Sequence, residues 1–568
     1  MNPRRLVEFW RESAAIFRRE GGHERWRLLT GAVVLATLVG FFAETRGGHV
    51  TMFNDSVYYV DATHAVFDGD PLVSRLYFAE RVARASNGEQ LPDLHRWVNE
   101  GAEPGELDGP RAHHPWTAWP PGFPILAAPF FAALPDGPAV FVCQAVALAL
   151  LILLVAALGR SLRGERFGFV AALVCAALPC VHDVARAYSS DLWFAVLVVL
   201  ALWATIEWRR CRRLRWLVLA SVAAAVAFSL RYLGVILCAF VVLSAWPRLW
   251  PLLVSGVISA VVVVPVFLRN KLVTGFFGGV ERLPSDRSLL LNLRDAGEAS
   301  LTGLLPLVRE VPGPFDLVLS GAVVLALVLV TVHRVASSSS NPATDIHGVG
   351  ILLGFAAAYV TALVVIRTRV LTDEINQRLL LPALIPVGVA VAASFSRRLR
   401  TARGAQLFRL MVPASVVAIA LNIGFAPTEG FAKDDAVSRA LQRAIDTTEA
   451  IDTPDARPAI YSNRAVELTF VLGRQVHWLP APAALDAIVN RQPAVFVVKR
   501  SSLYFPCPAF ESAYVRWLGL GASRVTRVGD FEVFVFFGRR PVRDPLEFDS
   551  CWAGHALVHC CPSALRPS

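Results

Sequence analysis

Apolar runs long enough to cross a bilayer recur through the first three-quarters of this chain, and some, such as the stretch "GPAVFVCQAVALALLILLVAAL" (residues 137 to 158), carry no charge. A hydrocarbon core about 30 Å thick needs about 17 to 25 helical residues to span it, so a chain built this way folds around the membrane. Composition agrees. Of 568 residues, 55% are hydrophobic and 18% are charged, and the mean hydropathy is +0.50, which excludes an ordinary soluble globular protein of this length. The expected fold is a polytopic α-helical membrane protein.

Apolar runs and their flanks predict about eleven spans, near 28–43, 137–158, 167–182, 190–207, 217–230, 232–246, 250–268, 315–332, 348–366, 379–395 and 407–425. The net charge of +10 does not point to nucleic acid, because Lys and Arg gather in short loops between spans. "GRSLRGER", "RRCRRLR", "WPRLW", "HRVASSSSNPATD" and "SRRLRTARG" all fall on the side of the N-terminus, which marks that side as cytoplasmic. An odd span count then places 44–136, 269–312, 367–378 and everything after 425 on the outer face. The first 27 residues are too long and too mixed in charge for a signal peptide's short basic region, so the first span is read as a retained anchor.

After the spans, residues 426–568 read as a small extracytoplasmic α/β domain. The β-rich runs "RPAIYS", "PAVFVVKR" and "DFEVFVFFG" alternate there with helix-like "RAVELTFVLG", "APAALDAIV" and "PAFESAYVRWLGLG". Cys143, Cys175, Cys180, Cys211 and Cys238 lie in or beside spans and are expected to act as small apolar residues. Cys507, Cys551, Cys560 and Cys561 are able to form disulfides in an oxidising compartment, with their pairing open.

Chemistry concentrates after the first span, in "TMFNDSVYYVDATHAVFDGD" (51–70). Phe53, Val57, Val60, His64 and Phe67 recur at steps of four and three, predicting an amphipathic helix at the outer membrane surface with Tyr58, Asp61 and Asp68 on its other side. Asp55 begins that helix, where it serves either as an N-cap or as a reactive carboxylate. Asp191 heads the fourth span; a carboxylate there is costly unless it faces protein or an aqueous cavity, and a cap after Ser189 and Ser190 is its other reading. Arg231, Arg269 and Arg378 stand at outer helix ends and suit phosphate oxygens or lipid headgroups, with Lys271 a weaker phosphate candidate. The adjacent His113 and His114 lack a spaced third ligand and are read as loop residues. No Gly-rich phosphate loop and no Asp-x-Asp nucleotide-sugar motif occurs on the cytoplasmic side.

In order along the chain, several short elements resemble those of the GT-C glycosyltransferases, which use polyprenyl-phosphate sugars and include protein mannosyltransferases and lipid A aminoarabinose transferases. They are Asp-Ser-x-x-Tyr from Asp55, "HPWTAWPPGFPILAAPF" (114–130), "YSSDLWFAVLVVLALWA" (188–204), "LRYLGVILCAF", "LRNKLVTGFFGG", "NQRLLLPALIP", and the tail's "IYSNRAVELTFVLGRQVHWLP". The first loop has Asp-Ser where protein mannosyltransferases have an adjacent acid pair, which argues against that subfamily and a protein acceptor. The resemblance implies a transmembrane domain over 28–425, with a first outer loop at 44–136. It also implies inverting transfer of a sugar from a polyprenyl phosphate to an acceptor hydroxyl at the outer face of a bacterial inner membrane.

The implied site has Asp55 and Asp191 as catalytic carboxylates, Arg231, Arg269, Lys271 and Arg378 around the donor phosphate, and Tyr58, Tyr59 and His64 along the substrate groove. A divalent cation is the candidate cofactor, with Asp55 and Asp191 as its candidate ligands. The partners implied are the lipid-linked donor, a glycan, lipid or protein acceptor, and membrane lipid. A transporter or lipid flippase is the alternative from another class, although the charges collect at outer helix ends and few lie in mid-span.

Overall fold

The computed structural model describes residues 22–45, 50, 54–67, 73–74, 114–115, 119–279, 285, 287–304, 342–370, 375–395, 439–441, 443–445, 459–462, 468, 477–478, 494–499, 515, 518–519, 522–528 and 531–536. The chain forms two compact units. One is Met1–Val50, Ala62–Val73 and Pro115–Thr428; the other is Thr51–Asp61, Ser74–His114 and Glu429–Ser568.

The helices are α1 (Gly22–Glu44), α2 (Asn54–Phe67), α3 (Gly122–Ala133), α4 (Asp136–Arg163), α5 (Glu165–Ala177), α6 (Pro179–Ala185), α7 (Asp191–Cys211), α8 (Leu214–Leu230), α9 (Gly234–Ser244), α10 (Leu249–Thr274), α11 (Leu289–Leu304), α12 (Pro342–Arg369) and α13 (Gln377–Phe395). Every expected span coincides with a helix except those at 315–332 and 407–425, which lie outside the described residues. Among the described residues six helices are long and apolar enough to cross a membrane, or seven if α5 and α6 form one bent span. Two of the predicted spans, now α8 and α9, are shorter apolar helices.

Three expectations change. The third span is not straight: α5 and α6 meet at 62°. The cause is local, since a residue before proline is pushed out of the helical region, and Leu178 before Pro179 is extended at φ −70°, ψ 125°. The surface helix after the first span forms as α2, but burial wraps most of it. Ser56, Tyr58, Tyr59, Val60, Ala62, Thr63 and Ala65 are buried, while Phe67 of the expected apolar stripe is exposed. Small side chains on the face expected to be polar let that face pack as well. Finally, the segment after α10, expected as a loop, contains a helix, α11. It buries small residues (Asn292, Ala296, Ala299, Ser300 and Gly303) and turns Leu289, Leu290 and Leu293 outward.

Packing in the first unit depends on close approach at small residues. A Cβ at Gly159 would stand 2.7 Å from the Ala171 side chain, which is how α4 and α5 come together. Leu148, Leu151, Ile152 and Val155 of α4 and Leu192, Val198, Val199 and Leu202 of α7 are completely or almost completely shielded in the core they share with α5 and α13.

In the second unit, β1 (Ala459–Ser462), β2 (His477–Trp478), β3 (Ala494–Lys499), β4 (Arg524–Val528) and β5 (Phe531–Phe536) form one mixed sheet in the order β2-β1-β3-β5-β4. β1 runs parallel to β2 and β3, and β5 runs antiparallel to β3 and β4. The central strand β3 reads "AVFVVK" and is buried on both faces. One face carries Ile460, Val495, Val497, Val533 and Val535 against Leu441, Ile445 and Leu468. Aromatic contacts of Phe496 with Tyr461 (5.1 Å) and Phe536 (5.3 Å) line the other. The expected strands are present, and β4 was not foreseen because "RVTRV" is charged; those arginines suit its place at the sheet edge. Cys507, Cys551, Cys560 and Cys561 lie outside the described residues.

Candidate active site at the head of α7

The approach to α7 is fixed before the site begins. Gln144, the one amide side chain within "GPAVFVCQAVALALLILLVAAL", is fully buried on α4, and its Nε2 donates to the carbonyls of Ala187 (2.7 Å) and Ser189 (3.2 Å). Tyr188 is buried between Phe123 and Phe131 of α3, at ring distances of 5.3 and 6.1 Å. The Trp193 indole donates to Cys143 Sγ at 3.3 Å. This anchoring orders the segment from 187 to 190 and sets Asp191 as the first residue of α7.

Asp191 is 2% exposed and meets two guanidiniums. Its Oδ1 lies 2.5 Å from Arg231 Nη1, and its Oδ2 lies 3.5 Å from Arg378 Nε. Arg231 also donates to Ser190 Oγ at 3.4 Å. Each arginine is delivered by a built helix end. Arg231 closes α8, where a tight turn brings Gly234 so near that a Cβ there would be 2.3 Å from the Phe228 nitrogen. Asn376 caps α13, its Oδ1 accepting the Leu379 N–H at 3.1 Å, which holds Arg378 in the first turn. Tyr359 of α12 is buried and packs on Phe194, one turn below Asp191, at 6.3 Å. Two cations around one carboxylate leave a net positive charge in a water-poor setting, where charge acts strongly.

The other expected residues are placed differently. Arg269 is half-buried near the end of α10. Its neighbour Asn270 donates to Tyr232 Oη (2.8 Å) and to the Phe277 carbonyl (3.1 Å). Lys271 is exposed, donates to the Gly275 carbonyl at 2.5 Å and lies over the Phe277 ring at 5.6 Å. Gly275, at φ +80°, ends the helix in the left-handed region that glycine tolerates. The Arg-Asn-x-x-x-x-Gly element is therefore in part a helix terminus, and the Lys271 ammonium serves it.

His64 bonds Asp136 Oδ1 through Nε2 at 3.1 Å and meets Phe131 edge-on at 5.7 Å, which ties α2 to the start of α4. Tyr58 and Tyr59 are buried, and Asp55 is half-buried in the first turn of α2. The structure thus brings Asp191, Arg231 and Arg378 together. His113 lies outside the described residues, and His114 begins a two-residue strand.

Sequence reasoning missed a buried hydrogen bond between an acid and a histidine. Glu44, last residue of α1, accepts from or shares a proton with His182 Nδ1 of α6 at 2.7 Å, while His182 Nε2 bonds the Ala176 carbonyl at 2.7 Å. An acid abutting the first span and a histidine inside the third were the available signals. As for a cation, no group of three or more His, Cys, Asp or Glu side chains with ligand geometry occurs among the described residues. Asp191 does not fit a metal ligand, because a cation there would face two guanidiniums.

Residues 119–268, which carry α3 through most of α10, match the family model described as dolichyl-phosphate-mannose-protein mannosyltransferase. Two solved structures of ArnT from Cupriavidus metallidurans share the fold. The form bound to undecaprenyl phosphate superposes with a TM-score of 0.56 at 13% identity, covering 90% of this chain and 98% of ArnT. The apo form gives 0.57 at 14% identity, covering 91% and 98%. No curated protein sequence matches the chain. The family match covers 119–268 alone, and what the chain shares with ArnT over nearly its whole length is the fold.

Proposed function

We propose that the protein is an inverting membrane glycosyltransferase that moves a sugar from a polyprenyl-phosphate donor to an acceptor hydroxyl at the outer face of a bacterial inner membrane, with the sheet-bearing C-terminal region extracytoplasmic. The observation that carries this reading is the buried Asp191 carboxylate at the head of a membrane helix, flanked by the partly exposed guanidiniums of Arg231 and Arg378. A net positive group at that depth suits the phosphate of a lipid whose tail stays in the bilayer.

In the reaction the acceptor oxygen forms a bond to the anomeric carbon as the bond from that carbon to the phosphate oxygen breaks. The electron pair leaves with the polyprenyl phosphate and the proton passes to a base. Arg231 and Arg378 stabilise the departing phosphate, with Arg269 a further donor, and Asp191 holds the first two in place as their counter-ion. Asp55 is the base for the acceptor proton, and an ionised aspartate needs no unusual environment for that task at neutral pH. A divalent cation held through Asp55 would orient the acceptor.

The test is release of polyprenyl phosphate by the purified protein in lipid, offered a panel of radiolabelled polyprenyl-phosphate sugars and a native membrane extract. The wild type releases it from at least one donor, and Asp55→Asn lowers the rate by about 10²- to 10⁴-fold, the span of general acid–base contributions. Folded protein that releases nothing from the whole panel rules the reading out, and an undiminished rate in Asp55→Asn removes Asp55 from its role.

A further inference from the structure

Arg367 in the last turn of α12 is 5% exposed. Its Nε and Nη1 are fully buried and have no hydrogen-bond partner, and no carboxylate pairs with it among the described residues. An arginine that reaches for lipid headgroups keeps its guanidinium exposed, as Arg369 two residues later does. A buried cation without a counter-ion is one of the costliest arrangements a fold carries.

Its position says what it faces. Phe355, Tyr359, Leu363 and Arg367 follow one another at steps of four on the buried face of α12. Tyr359 packs on Phe194, the residue one turn below Asp191. Eight residues at 1.5 Å each carry Arg367 about 12 Å beyond Tyr359 along that same inward face. The last turn is held there by Asn292 of α11, which donates to Thr368 Oγ1 at 3.0 Å, and by the Ser285 N–H bond to the Arg369 carbonyl at 3.3 Å.

We propose that Arg367 is the anchor of an oxyanion subsite, displaced along α12 from the Asp191–Arg231–Arg378 group, that takes a phosphate or carboxylate borne by a substrate. The inference rests on the glycosyltransferase reading for the identity of the substrates, but not for the binding itself. Two sources share this chemistry: the donor's lipid phosphate and an acidic group on the sugar or acceptor.

The experiment measures binding, so it stands whether or not transfer is ever observed. Full-length wild type and Arg367→Met in lipid nanodiscs are titrated with undecaprenyl phosphate and, separately, with inorganic phosphate, following thermal unfolding. Arg367→Met is expected to unfold at or above the wild-type temperature without ligand, because it removes an uncompensated charge, and to bind inorganic phosphate at least tenfold more weakly. If undecaprenyl phosphate weakens by the same factor, the subsite takes the lipid phosphate. If undecaprenyl phosphate binds as before while inorganic phosphate is lost, the anion comes from the sugar or acceptor. Unchanged binding of both anions overturns the proposal. Should Arg367→Met fail to fold, Arg367→Gln removes the charge while keeping a polar side chain, and unchanged affinity for both anions in that variant also overturns it. Failure of the transfer assay with phosphate binding still dependent on Arg367 would remove the enzyme reading and leave the subsite.

Discussion

Arg231, the residue that closes α8, holds Asp191, the residue that opens α7, at 2.5 Å, and the carboxylate it holds is 2% exposed. The pair joins two helix ends at the point where the chemistry is proposed, so stability and activity are coupled there.

Asp191→Asn leaves Arg231 and Arg378 facing each other without their counter-ion. Breaking a buried pair by removing one partner costs about 3 to 5 kcal/mol, and Arg231 at 16% exposure puts this case near the lower end. The double variant Asp191→Asn with Arg231→Gln should recover part of that loss, since the uncompensated charge goes with its partner. Thermal unfolding of the three variants in lipid checks this, and additive losses would mean the two residues are not coupled.

Gln144→Leu should lower the transfer rate without touching substrate. Its amide satisfies the carbonyls of Ala187 and Ser189, and leaving buried acceptors unpaired costs about 1 to 3 kcal/mol. The segment that sets Asp191 then loses its anchor. The expected signature is a fall in kcat with a smaller change in KM for the donor, measured alongside Asp55→Asn. An equal rate in Gln144→Leu would show that the segment is held by Tyr188 and its ring contacts alone.

The spans were legible because apolar runs of bilayer length have few other uses, and those that fall among the described residues coincide with helices. The break at Leu178 and Pro179 was also written in the sequence, since proline inside a span is a bend signal, and the apolar run on both sides masked it. Asp191, Arg231 and Arg378 could each be picked out as charges at span ends. Their union could not, because it depends on which helices become neighbours. Lys271 looked like a phosphate ligand from type and place, and its bond to the Gly275 carbonyl belongs to a left-handed helix end that spacing alone does not specify. Arg367 carried no signal, since an arginine one residue past a span usually faces headgroups and only burial separates it from Arg369.

The Glu44–His182 pair gives a prediction with a built-in control. His182 Nε2 bonds the Ala176 carbonyl, which can only accept, so Nε2 carries a proton and Nδ1 is the atom that answers to Glu44. In Glu44→Gln the side-chain amide can donate to a neutral Nδ1, preserving the bond between α1 and α6. In Glu44→Ala that nitrogen is stranded. Glu44→Gln should cost under about 1 kcal/mol and Glu44→Ala about 1 to 3 kcal/mol by thermal unfolding. Equal losses in the two variants would mean that the charge, not the hydrogen bond, is what the fold needs.

Gly122→Ala tests whether the entry to α3 is as close to α8 as the geometry states. A Cβ at position 122 would lie 2.3 Å from Ser229 Oγ, and also 2.5 Å from the Ser229 carbonyl oxygen and 2.8 Å from its carbon. The hydroxyl alone could rotate away; the backbone could not. Overpacking of this kind costs about 1 to 3 kcal/mol. Ser229→Ala in the Gly122→Ala background should therefore restore little of the lost stability, because the carbonyl clash remains. The displacement reaches the site, since Ser229 lies two residues before Arg231, so the transfer rate should fall with the unfolding temperature in both variants. Full rescue by Ser229→Ala would show that the side chain was the whole obstacle and that α3 and α8 are farther apart than 2.5 Å implies.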